Sequence, residues 1–389
     1  MNIFIYNPFG NSDGHSQKYA TNIAIGLINT PKVNSVRLYT SSDFLAEECK
    51  ENGVIVKHTK HNSKKYTKKL TVYKNILYGM WIFLSNLKIS TKLVIDTLKK
   101  GDDSRIIHFI GGETLSNLII IYILSFWNKN IFLTLHNADF DKSLYPRFKL
   151  KAYYKVIAII MIRIALYRGV KFFTHGNYMK EILSRQITGI NKNLYIHKVP
   201  ISGYLKKCEN NFHTNKIKLA FIGIIRLDKG LDILIEGLNK IQTKNWNLKI
   251  SGSSDQVGID YIENIIKPVE SNIILDLGYK SEVDLENIFK ESNIVVLPYR
   301  KSFIAQSVVM TEAICHGKPV IVTNTSENSF DVKMYNLGWV FEAENIDDLA
   351  RILNIAISEI EIVNMHREEY LDSISRNSIG AAIVSCYGG

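Results

Sequence analysis

Cysteine is scarce and scattered in these 389 residues: Cys49, Cys208, Cys315 and Cys386 form no CxxC pair. That spacing argues against a zinc cluster or a disulfide framework and points to a reducing, cytoplasmic setting. Long apolar runs are also missing. The longest, Leu118 to Leu124 and Val156 to Ile162, fall well short of the ~20 residues needed to span a bilayer. The opening MNIFIYNPFG lacks the basic start and small-residue cleavage site of a secretory signal and reads as a buried strand. No short-period repeat is visible, which argues against solenoid architectures.

What is present is a twofold alternation of β-rich runs and helical patterns. Asn2 to Asn7, Ser35 to Thr40, Arg105 to Ile110, Asn130 to His136 and Val170 to Gly176 read as strands, each followed by a polar turn. The rhythm restarts at Ile217 to Gly223, Asn247 to Gly252, Asn272 to Gly278, Asn293 to Tyr299 and Lys318 to Asn324. Such alternation predicts parallel α/β domains, and the length suits two of them at ~100–200 residues each. We expect a first Rossmann-like domain over 1–200, a linker over 201–215 around Gly203, and a second such domain over 216–372. The stretch 373–389 reads as a helix able to return to the first domain. Two doubly wound domains are expected to face each other across a cleft, with ligands at the carboxyl ends of the strands.

Charge is split unevenly. Residues 1–200 carry 29 Lys+Arg against 12 Asp+Glu, and the remainder 19 against 25. A basic first half suits an acidic partner, either lipid headgroups or a phosphate-bearing acceptor. The stretch from Lys57 to Leu84 sets many lysines beside aromatic and aliphatic residues, a pattern fit for an anionic membrane surface or, equally, for a basic loop ahead of a buried helix. Nucleic acid is not expected, because no RNP-type, helix-turn-helix or zinc-finger pattern accompanies the charge.

Two segments carry chemistry. In FIGIIRLDKGLDILIEGL a strand ends at Gly223, a loop holds Arg226 and Lys229, and Gly230 leads into a helix. A glycine that admits close backbone approach, with two cations at a helix start, suits a diphosphate; solvated loop charges are the plain alternative. In LPYRKSFIAQSVVMTEAICHGKPVIVTN a loop precedes a helix over roughly Ser307 to His316. Ser307 is the expected N-cap, leaving the N–H groups of Val308 and Val309 for phosphate oxygens. Glu312 stands on that helix among apolar residues, where a carboxylate needs ligand hydroxyls or a salt-bridge partner. In the first half, Gly10, Gly14 and His15 form a small-residue loop before a helix, where phosphate can approach. His136 ends a strand, where a hydrogen-bonded loop histidine is the plain reading; His108 and His175 also end strands and are candidates to support the site from behind.

Taken together, Gly223, the R-x-x-KG of Arg226 to Gly230 and the later EA-x-x-x-GKPVI from Glu312 to Ile321 resemble glycosyltransferase family 4, retaining transferases of the GT-B fold. The resemblance covers most of the second half and, in general layout only, the first. It implies that Arg226 and Lys229 hold a donor diphosphate and act in catalysis, and that Glu312 binds the ribose. It further implies that Gly278 and Tyr279 lie beside the base, that Ser307 and Val308 touch diphosphate or sugar, and that His136 faces the reacting sugar. Gly14 is expected on the donor side, His15 and His136 on the acceptor side. One departure is plain: Ile304 occupies a position where the family often has a second glutamate, eight residues before Glu312.

The expected activity is therefore transfer of a hexose from a UDP- or GDP-linked donor to a saccharide, lipid-linked for preference, in bacterial surface-polysaccharide assembly. No cofactor and no metal are expected, since cationic side chains stand in for the ion at the diphosphate. The expected location is cytoplasmic, peripheral on the inner membrane face. Two other readings are another nucleotide-sugar enzyme such as an epimerase, and a non-catalytic polyanion-binding protein.

Overall fold

The computed structural model describes residues 1–7, 15–40, 46–58, 91, 95, 105–110, 115–128, 130–136, 149–201, 216–243, 245–303, 306–360 and 363–388. Gly10, Gly14, Ile304, the linker beyond Ile201 and nearly all of the lysine-rich stretch lie outside the described residues, as does the side chain of His15. The chain divides into two compact units, Met1–Ser202 with Ile374–Gly389, and Gly203–Ser373.

The first unit is a seven-stranded parallel sheet of β1 (Asn2–Asn7), β2 (Ser35–Thr40), β3 (Ile55–His58), β4 (Arg105–Phe109), β5 (Ile131–Thr134), β6 (Lys171–Thr174) and β7 (Leu194–Ile196). Its order is β3-β2-β1-β4-β5-β6-β7, every pair parallel. Parallel strands are covered on both faces and therefore read as continuous apolar runs. β4 and β5 obey this, buried along their whole length. Between strands run α1 (His15–Ile28), α2 (Ala46–Glu51), α3 (Leu115–Leu124), α4 (Lys149–Tyr167) and α5 (Asn177–Gln186).

The second unit repeats the plan with β8 (Ile217–Ile222), β9 (Trp246–Gly252), β10 (Ile273–Leu277), β11 (Ile294–Leu297), β12 (Val320–Thr323) and β13 (Gly338–Phe341). The order is β10-β9-β8-β11-β12-β13, again all parallel. Its helices are α6 (Leu231–Lys240), α7 (Ile259–Ile266), α8 (Glu282–Glu291), α9 (Val308–Cys315), α10 (Glu327–Met334), α11 (Ile346–Glu359) and α12 (Arg367–Ser373). Trp246, Leu248 and Ile250 of β9 join Leu234 and Leu238 of α6 and Leu349 and Leu353 of α11 in one core. In each sheet the first strand lies between the second and the fourth. Strand order thus reverses beside β1 and beside β8, where a doubly wound sheet opens a crevice at its carboxyl edge. Both units are Rossmann-like α/β domains.

The last helix, α13 (Arg376–Tyr387), belongs to the first unit and packs on α1. Arg376 donates through Nε to Asn22 Oδ1 at 2.7 Å and pairs with Glu48 at 2.5 Å. The two helices meet at glycines. A Cβ on Gly380 would stand 2.2 Å from the Gly26 carbonyl oxygen, and one on Gly26 would stand 2.0 Å from the Arg376 carbonyl oxygen. No side chain fits there, so Gly380→Val must push the helices apart. Chemical unfolding of that variant should show a loss of about 1–3 kcal/mol, the range for overpacking a tight contact. Wild-type stability would mean the helices do not meet at this pair.

Candidate functional site

The loop after β8 is placed by two close backbone contacts. Gly252, at the end of β9, leaves room for the Gly223 carbonyl oxygen, which a Cβ would meet at 2.1 Å. Gly230, left-handed at φ 66°, lies so near Pro298 that a Cβ would stand 2.0 Å from its carbonyl oxygen. Only glycine accepts both the conformation and the approach. The loop is thereby pinned against the end of β11, at the point where strand order reverses.

Within that frame the chain turns at Gly223, with φ 114°. A Cβ on Gly223 would stand 3.2 Å from Lys229 Nζ and 3.8 Å from Val309 Cγ2. Gly223, Lys229 and the first turn of α9 therefore surround one small space. Lys229 Nζ lies 3.4 Å from Tyr299 Oη and sits 5.0 Å and 5.8 Å from the ring centres of Tyr299 and Phe303. Among the described residues no carboxylate meets this ammonium. Arg226 differs. Its Nε and Nη2 donate to the two oxygens of Asp228 at 2.9 and 2.7 Å. Asp228 fixes the guanidinium plane and leaves Nη1 for another acceptor. Arg300 braces the same loop, donating to the Leu227 carbonyl at 2.9 Å and pairing with Asp232.

Ser307 caps α9, accepting from Met310 N at 3.4 Å. Its hydroxyl also meets Tyr299 Oη at 3.1 Å, and its own N–H donates to Asn328 Oδ1 at 2.9 Å. Ser307 is thus buried and engaged inside the unit. Val308 is partly exposed, and the backbone N–H groups of Val308 and Val309, first in the helix, have no intrahelical acceptor. Glu312 lies on α9, half-buried. Gly278 and Tyr279 follow β10, two strands from β8 on the same sheet edge. Gly278 has φ 112° and open space at its Cβ position, and the Tyr279 side chain is almost fully exposed. Sequence reasoning missed Asp228, Tyr299, Asn328 and Arg300. Asp228 alone had a signal, an acid two residues from Arg226.

The first unit holds His136 just past the end of β5. Its Nδ1 lies 2.8 Å from His175 Nε2, and the edge of Tyr19 packs against both rings. His197, past β7, donates through Nδ1 to the Lys198 carbonyl at 2.9 Å and accepts from the Tyr19 hydroxyl at Nε2, 3.1 Å away. His108, in β4, lies 2.8 Å from Thr134 Oγ1 and 2.7 Å from Tyr387 Oη. Four adjacent strands thus each bring a histidine toward one edge. Burial, and then the mutual repulsion of the rings as cations, holds His108 and His175 well below the usual imidazole range. Burial lowers His136 and His197 to about 4.

The folded chain therefore favours neutral rings, while the unfolded chain takes up protons from about pH 6.5 downward. The stability this contributes is fully present above pH 6.5 and is lost as pH falls toward about 4. Thermal midpoints measured across that range should fall, and His136→Phe should flatten part of the slope. An unchanged slope in the variant would contradict the buried, neutral state.

Residues 206–370 match the family described as "Glycosyl transferases group 1". The chain is 26% identical over 148 residues to an uncharacterized 41.2 kDa protein in the cps region of Klebsiella pneumoniae, covering 36% of this chain and 38% of that one. It is 24% identical over 133 residues to a GDP-mannose:glycolipid 4-beta-D-mannosyltransferase of Xanthomonas campestris, covering 34% and 38%. The matched stretch thus spans 38% of the length of these curated relatives. Among solved structures, a glycosyltransferase from Rickettsia africae is similar with TM-score 0.66 at 15% identity, over 99% of this chain and 97% of that one. The Anabaena protein HepE, in complex with UDP and glucose, is similar with TM-score 0.66 at 13% identity, over 99% and 98%. The two-unit fold of this chain is thus that of solved GT-B glycosyltransferases, and its second unit carries the glycosyl transferases group 1 match.

Proposed function

We propose that this chain is a retaining, metal-independent glycosyltransferase of family 4. It moves a hexose from a UDP- or GDP-linked donor to a saccharide acceptor, lipid-linked for preference, in assembly of a bacterial surface polysaccharide. The observation that carries the reading is the space bounded by Gly223, Lys229 and the start of α9 at the strand-order reversal. A diphosphate there meets an ammonium, the free edge of a guanidinium and the N–H groups of Val308 and Val309. All of these favour negative charge. Glu312 takes the ribose hydroxyls, and Gly278 and Tyr279 flank the base. The names of the relatives supply both donor classes, GDP-mannose in Xanthomonas and UDP in the Anabaena complex.

In the reaction the bond from the anomeric carbon to the phosphate oxygen breaks, and the acceptor hydroxyl attacks on the same face. Arg226 and Lys229 stabilise the charge gathering on the departing diphosphate. Among the described residues no acid neutralises Lys229, whereas Arg226 is held by Asp228. Lys229→Ala should therefore weaken UDP or GDP binding by ~10–100-fold, the value of a charge-assisted hydrogen bond, and by more than Arg226→Ala does. Calorimetric titration of wild type and both variants checks this. Equal affinity in all three would remove the site, and a β-glycoside formed from an α-linked donor would overturn retention.

The reading places the protein in the cytoplasm, peripheral on the membrane, and α4 supports that placement. Ala158, Ile162 and Ala165 bury one face of this helix, yet Ile157, Ile160 and Ile164 are 44%, 49% and 36% exposed on another. Arg163 stands among them, and Arg168 stacks 4.0 Å over Phe126, beside the exposed Trp127. An apolar stripe edged with arginines suits an anionic bilayer surface. No described helix is long and apolar enough to cross a membrane. Replacing Ile157, Ile160 and Ile164 together by Glu should abolish flotation with phosphatidylglycerol vesicles, while undiminished flotation would exclude α4 as the contact.

A further inference from the structure

A lysine ammonium ends a flexible four-carbon stem, and among the described residues no carboxylate holds that of Lys229. Its place is set first by the backbone. The Arg300 N–H donates to the Asp228 carbonyl at 2.9 Å, and Gly230 lies against the Pro298 carbonyl oxygen, which a Cβ there would meet at 2.0 Å. Residues 228–230 and 298–300 therefore run past each other in opposite directions, with Lys229 opposite Tyr299. Opposite residues of two antiparallel segments bring their side chains together on one side. Neither backbone contact needs the phenol hydroxyl, so the pairing of the two segments survives its removal.

The side chains then meet as that pairing requires. Tyr299 is buried, and its Oη lies 3.4 Å from Lys229 Nζ and 3.1 Å from Ser307 Oγ. Phe303 is turned back onto it, its N–H donating to the Arg300 carbonyl at 2.9 Å and its ring centre 4.2 Å from that of Tyr299. The ammonium sits 5.0 Å and 5.8 Å from the two ring centres, within reach of their quadrupoles. The hydroxyl is the nearest of these groups and takes one of the three N–H donors of the ammonium. Two donors remain on the side of Gly223, where a Cβ would stand 3.2 Å from Nζ.

We propose that Tyr299 is a positioning residue whose hydroxyl holds the Lys229 ammonium over Gly223 without neutralising it, so that a donor diphosphate meets a full charge already in place. A lysine free to sweep solvent would have to be ordered as the phosphate arrives, at a cost in side-chain entropy. A carboxylate in the place of the phenol would order it too, and would cancel the attraction that the site needs. A neutral acceptor beside aromatic rings does the first without the second. The inference rests on the transferase reading for its diphosphate and on the loop geometry alone for the held lysine.

The test separates the two. In the full chain without nucleotide, ¹³C relaxation of the Lys229 ε-methylene, assigned by its loss in Lys229→Ala, should report an ordered side chain, and a mobile one in Tyr299→Phe. A wild-type ε-methylene as mobile as that of the exposed Lys192 would overturn the proposal, whatever the chain binds. In calorimetric titrations Tyr299→Phe should weaken UDP or GDP binding about three- to tenfold, the worth of one net hydrogen bond. In a Lys229→Ala background the same substitution should change affinity by no more than about twofold, because the tyrosine acts through the lysine. Equal losses in both backgrounds would mean that Tyr299 works through the cap of α9 instead, and would overturn the role, as would no loss in either. Should the Phe variant fail to fold, the wild-type relaxation still decides. A chain that binds neither UDP nor GDP yet holds Lys229 in order would sink the transferase reading and leave the held lysine standing.

Discussion

The second unit depends on how closely its backbone can approach itself at the carboxyl ends of β8, β9 and β11. Gly252 and Gly230 each admit a carbonyl oxygen where any Cβ would collide. With side chains there, the loop after β8 would lift from the end of β11. Lys229 would then no longer return over Gly223. The ion pair of Arg226 with Asp228 and the brace from Arg300 are secondary to that contact, since they tie together a loop whose course the glycines have set.

Much of this was legible from residue order. Interior strands of a parallel sheet must be apolar on both faces, so β1, β5, β11 and β12 announce themselves as near-continuous apolar runs. The short strands β3, β7 and β13 do not. Ile55 is exposed on β3 and β13 is mostly half-buried, so neither carries the apolar signature, and β7 has only three residues. The N-cap at Ser307 followed from residue type, because a serine before an apolar helical run has few other uses. Its further bonds to Tyr299 and Asn328 did not, since both depend on side chains meeting from different elements.

The histidines show the same divide. His108, His136 and His175 stood out as strand ends, whereas His197 was not singled out. Its role depends on β7 lying beside β6, a pairing of three residues that periodicity cannot reveal. Once that pairing is made, His197 becomes part of a buried network with Tyr19. The cation pair shows a related divide. R-x-x-K reads as two equivalent charges, while the folded loop gives one of them an acid and leaves the other facing two aromatic rings.

The packing of α13 on α1 has a consequence for the order in which the protein takes shape. Residues made first emerge with their partner helix still unsynthesised, and the whole second unit intervenes before Gly380 can meet Gly26. Tyr387, which closes on His108 at 2.7 Å, comes later still. During synthesis the inserted unit can complete its own core while the unit around it waits. The unit whose strands are made first is the one completed last, and His108 meets its Tyr387 partner only once α13 has docked.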